Sequence, residues 1–243
     1  MSANFSHFAS TLAQGIVPTV ELSVGGIILA TIDAFVAGLL SRSRFMPVRF
    51  VVRVYVEGWR GSSELVQLFW LVLVAPTLIG LHLVPIWAGI IALGLNVGAY
   101  GAEVVRGAVD AVPKPQHEGA IALSLNSWQR LRRVILPQAL VEMVPSFTTL
   151  FIQLIQATAL VSLVFVHEIT YQAKNILTQN YPTSEDGLIW TMVLVLYLIL
   201  AVILVAIMRL LERVLARYAG RVPPRRVRMR SVFKPAFGKL GRP

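Results

Sequence analysis

Asn96, Tyr100 and Glu103 follow one another along an apolar stretch at intervals of four and three. On a helix this spacing puts them on one face. A second apolar stretch repeats the pattern with Thr149, Gln153 and Gln156. Amides, hydroxyls and one carboxylate can hydrogen-bond a polar solute or each other. In lipid such stripes are costly unless they face a cavity or a partner. Two readings follow: the stripes face each other around a solute path, or they serve as interhelical hydrogen bonds with no solute contact. Gly94, Gly98 and Gly101 lie on roughly the opposite face of the first stretch, and the first two form GxxxG, which admits another helix closely. Glu103 and Arg106, three apart, can pair as a structural ion pair or as a gate.

Chemistry of other kinds finds no residues. The chain has no cysteine, and His7, His82, His117 and His167 are scattered without metal-binding spacing. There is no GxxxxGK[ST] and no recognisable nucleophile, base and orienting group. The sequence thus reads as that of a protein that is not an enzyme, with no cofactor of its own, whose energy must come from elsewhere.

The elements that carry the stripes are set by composition. Of 243 residues, 56% are hydrophobic and only 14% charged, against about 25% charged in ordinary soluble domains. Five apolar stretches are long enough to cross a bilayer, at about 17–40, 65–84, 86–105, 145–166 and 188–208. In lipid each must be helical to satisfy its own backbone. With no basic residue in positions 1–15, the first stretch reads as a retained helix rather than a leader. The loops 41–60 and 106–137 and the tail from Arg209 hold 21 of the 22 basic residues; the opposite side holds only Lys174. The positive-inside rule then puts the N-terminus outside and the C-terminus in the cytoplasm. The expected fold is an all-α membrane protein of five transmembrane helices. An extracytoplasmic segment 1–16 precedes a membrane domain 17–212, and a basic, poorly ordered tail 213–243 follows. Asp33 sits inside the first stretch and needs a partner that the sequence does not name. Glu21 lies nearer the outer end, and Glu64 opens the second stretch, where a carboxylate suits the helix dipole.

The connection 110–137 is unusually long. Pro113 and Pro115 interrupt any continuous helix. A short helical pattern then sets Ala120, Leu123 and Ser124 on one face, followed by a basic cluster and Pro137. It reads as a docking element or as an ordinary surface helix. The spacing Glu118-Gly119-Ala120, three residues, Ser124, nine residues, Val134, one residue, Leu136-Pro137 resembles the EAA loop of ATP-binding-cassette importer permeases. Gly119, Ser124 and Val134 stand where that motif has Ala, Gly and Ile. The segments 59–70 (WRGSSELVQLFW), 98–116 (GAYGAEVVRGAVDAVPKPQ) and 155–164 (IQATALVSLV) are similar to segments of the polar-amino-acid branch. Ser62-Ser63-Glu64 and Ala157-Thr158-Ala159-Leu160 look closest to ectoine and hydroxyectoine uptake permeases.

The resemblance implies a type I importer permease fold with cytoplasmic coupling helices, in a bacterial inner membrane. It assigns ATPase coupling to Glu118, Gly119, Ala120, Ser124, Leu136 and Pro137, with small residues allowing close approach and Glu118 suited to backbone donors at the helix start. It also implies partners: an ATPase dimer that carries ATP and Mg, a second permease subunit identical to this one or different, an extracytoplasmic solute-binding protein, and membrane lipid but no nucleic acid. The loop 167–187 reads as a short helix with Ile169, Ala173 and Ile176 on one face, ended by Pro182 and Gly187. It would receive the binding protein or rest on the bilayer. The rival class is a self-sufficient channel or ion-coupled carrier, for which Asp33 is the one mid-span carboxylate. The stretches show no internal repeat to favour it.

Overall fold

The computed structural model describes residues 2–178 and 185–218, and every regular element among them is helical. In chain order these are α1 (Ser2–Gln14), α2 (Ile16–Leu40), α3 (Met46–Gly61), α4 (Glu64–Phe69), α5 (Ala75–Ile79), α6 (Pro85–Asp110), α7 (Lys114–Ala122), α8 (Ser127–Arg130), α9 (Leu136–Ala157), α10 (Ile169–Leu177) and α11 (Asp186–Tyr218). The stretches Phe5–Leu40, Pro85–Asp110, Ser127–Val164 and Asp186–Tyr218 are long and apolar enough to cross a membrane. A fifth span results if Met46–Gly61 and Glu64–Ile79, bent by 101° at their junction, count as one.

Helices α2 and α6 form the spine. They run parallel: Gly89 meets Leu22, Gly94 meets Leu29, Gly101 meets Ala34, and Gly38 of α2 meets Val105. Their C-terminal ends, and with them the loops after Leu40 and Asp110, therefore lie on one side of the bundle, joined by an Arg42–Asp110 ion pair. Helix α9 runs the other way, with Leu154 against Gly26 and Phe147 stacked on Phe35. Helix α11 buries Ile189, Val193, Met208 and Ala216 but leaves Leu198, Val202, Ile203 and Ile207 exposed, as a lipid-facing helix should.

Several sequence expectations change. Residues 41–60, taken as a loop, contain the helix α3, because Val52 and Val56 share a buried face while the arginines point outward. The second stretch stops at Ile79 instead of residue 84. Gly80 ends it with φ +65°, and residues 80–84 are not helical. Between α4 and α5 the backbone widens into a π-turn, Trp70–Val74. Pro76 follows after Ala75; it offers no N–H to residue 72, and a widened turn relieves the clash of its ring. The same device, the π-turn Leu131–Ile135, precedes Pro137, so the helical rod there starts at Ser127, not at residue 145. Pro145 lies inside α9, and a 3₁₀ segment, Thr158–Val164, closes that rod. The last helix runs on to Tyr218. Residues 2–14 are helical, with Phe8 and Leu12 packed among Ile169, Ala173 and Ile189. The expected stop at Pro182 and the tail beyond 218 lie outside the described residues.

Candidate functional site

The connection from α6 to α9 is a helical hairpin. Pro113 is the N-cap of α7 and Pro115 lies in its first turn, where a missing N–H costs nothing. At the far end, Ser124 N–H donates to Ile121 O (2.8 Å) and Leu125 N–H to Ala120 O (3.1 Å). This pair of bonds is a Schellman closure, which needs a left-handed residue just past the helix end. Ser124 supplies it with φ +56°, at a cost of about 1–2 kcal/mol that glycine would not incur. Asn126 then caps α8. It accepts from Gln129 N–H (2.8 Å), and the Gln129 side chain accepts from Asn126 N–H (3.1 Å). The Gln138 amide donates to Gln116 Oε1 (3.3 Å) and so ties α9 back to α7.

This geometry redistributes the proposed coupling residues. Helix α7 ends at Ala122, so Ala120, Leu123 and Ser124 do not share a helical face. Ala120 is buried against its own chain. Glu118 lies mid-helix and exposed, not at the helix start. Gly119 is exposed, with nothing within 4 Å of a built Cβ. Leu136 and Pro137 are half-buried at the start of α9. Sequence reasoning placed Leu123 on the docking face but missed Ile121 and Trp128; the three are 74, 58 and 64% exposed on the same hairpin. Their signal was large apolar side chains inside an otherwise polar connection. Together they form a rigid, small-residue-bearing apolar tip, suited to a protein partner.

Most of the polar stripe of α6 finds partners within the chain, although the buried Asn96 Oδ1 accepts no hydrogen bond among the described residues. Asn96 is 1% exposed. Its amide donates to Trp59 O (2.9 Å) and Gln67 Oε1 (3.2 Å), and the Gln67 amide donates to Trp59 O (2.8 Å) and Ser62 Oγ (2.7 Å). Tyr100 OH donates to Arg60 O (3.2 Å), and the Arg60 guanidinium sits 4.9 Å from the Tyr100 ring centre. These bonds clamp the α3–α4 elbow onto α6. Asn96→Leu leaves Trp59 O and Gln67 Oε1 without that donor in a buried setting, and is expected to destabilise by about 1–3 kcal/mol. Faster proteolysis at the elbow, with α2–α6 packing intact, checks this. Glu103 accepts from Arg106 Nε (3.0 Å), as the spacing predicted. Asp33 lies beside Gly98 and next to Tyr55 of α3, the neighbour the sequence did not name.

The stripe on α9 does not meet the one on α6. Phe147, Phe151 and Leu154 turn inward, while Thr149, Gln153 and Gln156 are exposed along with Ser146. A polar helix face left open in a membrane-spanning rod requires a second protein surface or a water-filled path.

At the opposite end of the bundle, Glu168 is fully buried. It caps α10 by accepting from Thr170 N–H and Tyr171 N–H (both 2.8 Å), and it accepts from Tyr197 OH of α11 (2.7 Å). Burial pushes its carboxyl above the usual range, against these hydrogen bonds, which hold it down. Ile169 N–H donates to Thr19 Oγ1 (3.3 Å), which brings α2 into the same knot. Sequence patterning gave no hint of Glu168, because most of its donors are backbone. Glu168→Ala is expected to cost about 2–4 kcal/mol by leaving buried donors unmet, read as a lower thermal midpoint in detergent.

A family model described as "Binding-protein-dependent transport system inner membrane component" matches residues 23–217. The chain is 39% identical over 202 residues to a probable amino-acid ABC transporter permease of Sinorhizobium fredii, covering 81% of this chain and 84% of that one. It is 36% identical over 173 residues to the L-cystine transport system permease of Bacillus subtilis (71% and 74% covered). With the glutamine transport system permease of Escherichia coli it shares 34% over 187 residues (76% and 84%). Among solved structures, the crystal structure of an amino acid ABC transporter with histidines superposes with a TM-score of 0.78 at 26% identity, covering 87% of this chain and 97% of that one. An inward-facing MetNI methionine ABC transporter gives 0.71 at 19% identity (85% and 97%) and so bears on the fold alone.

Proposed function

This chain belongs to the binding-protein-dependent transport system inner membrane components, and on that premise we propose that it lines the path of a polar amino acid or compatible solute through a bacterial inner membrane. It is the multi-pass permease subunit of an ATP-driven importer, with the type I fold, and is not itself an enzyme. ATP and Mg belong to the partner ATPase.

In this reading the bundle has five spans, counting α3 to α5 as the second. The N-terminus is outside and the C-terminus cytoplasmic, which puts the α7–α8 hairpin and the basic ends of α2 and α6 on the cytoplasmic side. The hairpin docks on an ATPase dimer through Glu118, Gly119, Ile121, Leu123 and Ser124. Ala120, Leu136 and Pro137 hold its shape. The exposed Thr149, Gln153 and Gln156 face a second permease subunit across the solute path. Tyr100 and Glu103 border that path, and Asn96, itself buried, holds the elbow beside it. The α1–α10 end receives the solute-binding protein. Relatives that carry cystine and glutamine support an amino-acid-like zwitterion. Ser62-Ser63-Glu64 and Ala157–Leu160 favour ectoine or hydroxyectoine within that range.

The observation that carries the reading is the hairpin: a fixed tip with apolar side chains exposed, on a chain without a nucleotide motif. Reconstitution in liposomes tests it. Labelled solute should accumulate only with the ATPase, the binding protein and Mg-ATP present. Uptake by this chain alone would instead mark a self-sufficient carrier or channel.

A further inference from the structure

A groove of about 870 Å³ opens between α3 and the C-terminal ends of α2 and α6. Five arginines line it: Arg42, Arg49, Arg53, Arg60 and Arg106. Three carboxylates answer them. Asp110 pairs with Arg42 and lies 3.8 Å from Arg106, Glu103 pairs with Arg106, and Glu57 is 4.0 Å from the well-exposed Arg53. Among the described residues no carboxylate lies within 4 Å of Arg49 or Arg60. The groove therefore keeps unbalanced positive charge.

The helix that forms its outer wall has three distinct faces. Val52 and Val56 are buried; Phe50, Val51 and Val54 form an exposed apolar stripe; Arg49, Arg53 and Arg60 form a ridge along the groove. A bend of 101° separates α3 from the helix that follows, so α3 forms a distinct segment leading into it. The start of α3 stands beside the Arg42–Asp110 pair at the ends of α2 and α6, where Arg49 and Arg53 lie at headgroup level with Phe50, Val51 and Val54 at the acyl boundary, while its last turn reaches Asn96 and Tyr100 further along α6.

We propose that this groove seats the headgroup of an anionic phospholipid, its phosphate held by Arg49 and Arg53 and its acyl chains running beside Phe50, Val51 and Val54. The proposal rests on the membrane placement of α3 and not on how the permease is coupled or what it carries. Bound lipid would neutralise the ridge and fix α3, and through the Trp59–Asn96 clamp it would stiffen α6.

Native mass spectrometry of the purified full-length chain tests it, with phosphatidylglycerol and phosphatidylcholine as probes. The basic tail is present in every variant, so differences between variants report the groove. Wild type should retain phosphatidylglycerol about tenfold better than Arg49→Gln/Arg53→Gln, with phosphatidylcholine retention unchanged. Arg132→Gln/Arg133→Gln, on the coupling hairpin side, should behave as wild type. Equal phosphatidylglycerol retention in wild type and Arg49→Gln/Arg53→Gln overturns the proposal. So does displacement of the lipid from wild type by millimolar inorganic phosphate, which would mark a pocket for free anions.

Discussion

Gly119→Leu abolishes transport while leaving the isolated chain as stable as wild type. A Cβ at Gly119 meets nothing within 4 Å in this chain, and the residue lies on the open side of α7. Leucine is a better helix former than glycine by roughly 0.8 kcal/mol, so α7 gains if anything. What the added side chain can disturb is an interface. Close-packed protein contacts tolerate inserted methylenes poorly, at about 1–3 kcal/mol, and small, central positions of an interface are where that cost concentrates. ATP-driven uptake should fall at least about tenfold, and the ATPase should co-purify weakly. Ala120 gives a less clean probe. It is 3% exposed, so a bulky residue there damages the hairpin itself, and loss of transport would not separate docking from folding.

The second large effect is on the spine. In Gly98→Leu the new Cβ would stand 2.8 Å from Asp33 Cβ on α2, closer than side-chain atoms approach. The parallel helices must separate, and α3 with its Tyr55 neighbour must shift as well. A loss of about 3 kcal/mol is expected, which for a chain of this size lowers the thermal midpoint by roughly 10 °C. Gly107→Leu, on the same helix with open space around it, should leave the midpoint unchanged. Equal midpoints for Gly98→Leu and wild type would mean that α2 and α6 are not packed through this face.

Much of this architecture was legible because lipid imposes a severe code. Gly94, Gly98 and Gly101 announced a close helix neighbour, and that neighbour is α2. The spacing from Glu118 to Pro137 marked the hairpin, and the position held by Ser124 proved to be its left-handed closure. What stayed hidden has physical causes. Charge counting in 41–60 masked a helix whose buried residues, Val52 and Val56, are few. The π-turns before Pro76 and Pro137 accommodate those prolines, but a proline alone does not tell a widened turn from a kink or a break. Asn96 reads as a pathway group because its acceptor, the carbonyl of Trp59, leaves no trace in a sequence. The α9 stripe was read correctly as one face, but in this chain that face opens outward instead of meeting α6.

The absence of cysteine makes the central claim directly measurable. In the assembled transporter, Leu123→Cys should cross-link through a short bifunctional reagent to the ATP-hydrolysing subunit, and Thr178→Cys, at the far end of the bundle, should not. Adducts from position 123 with the solute-binding protein, or labelling of that position from the outer face of intact cells, would contradict the account.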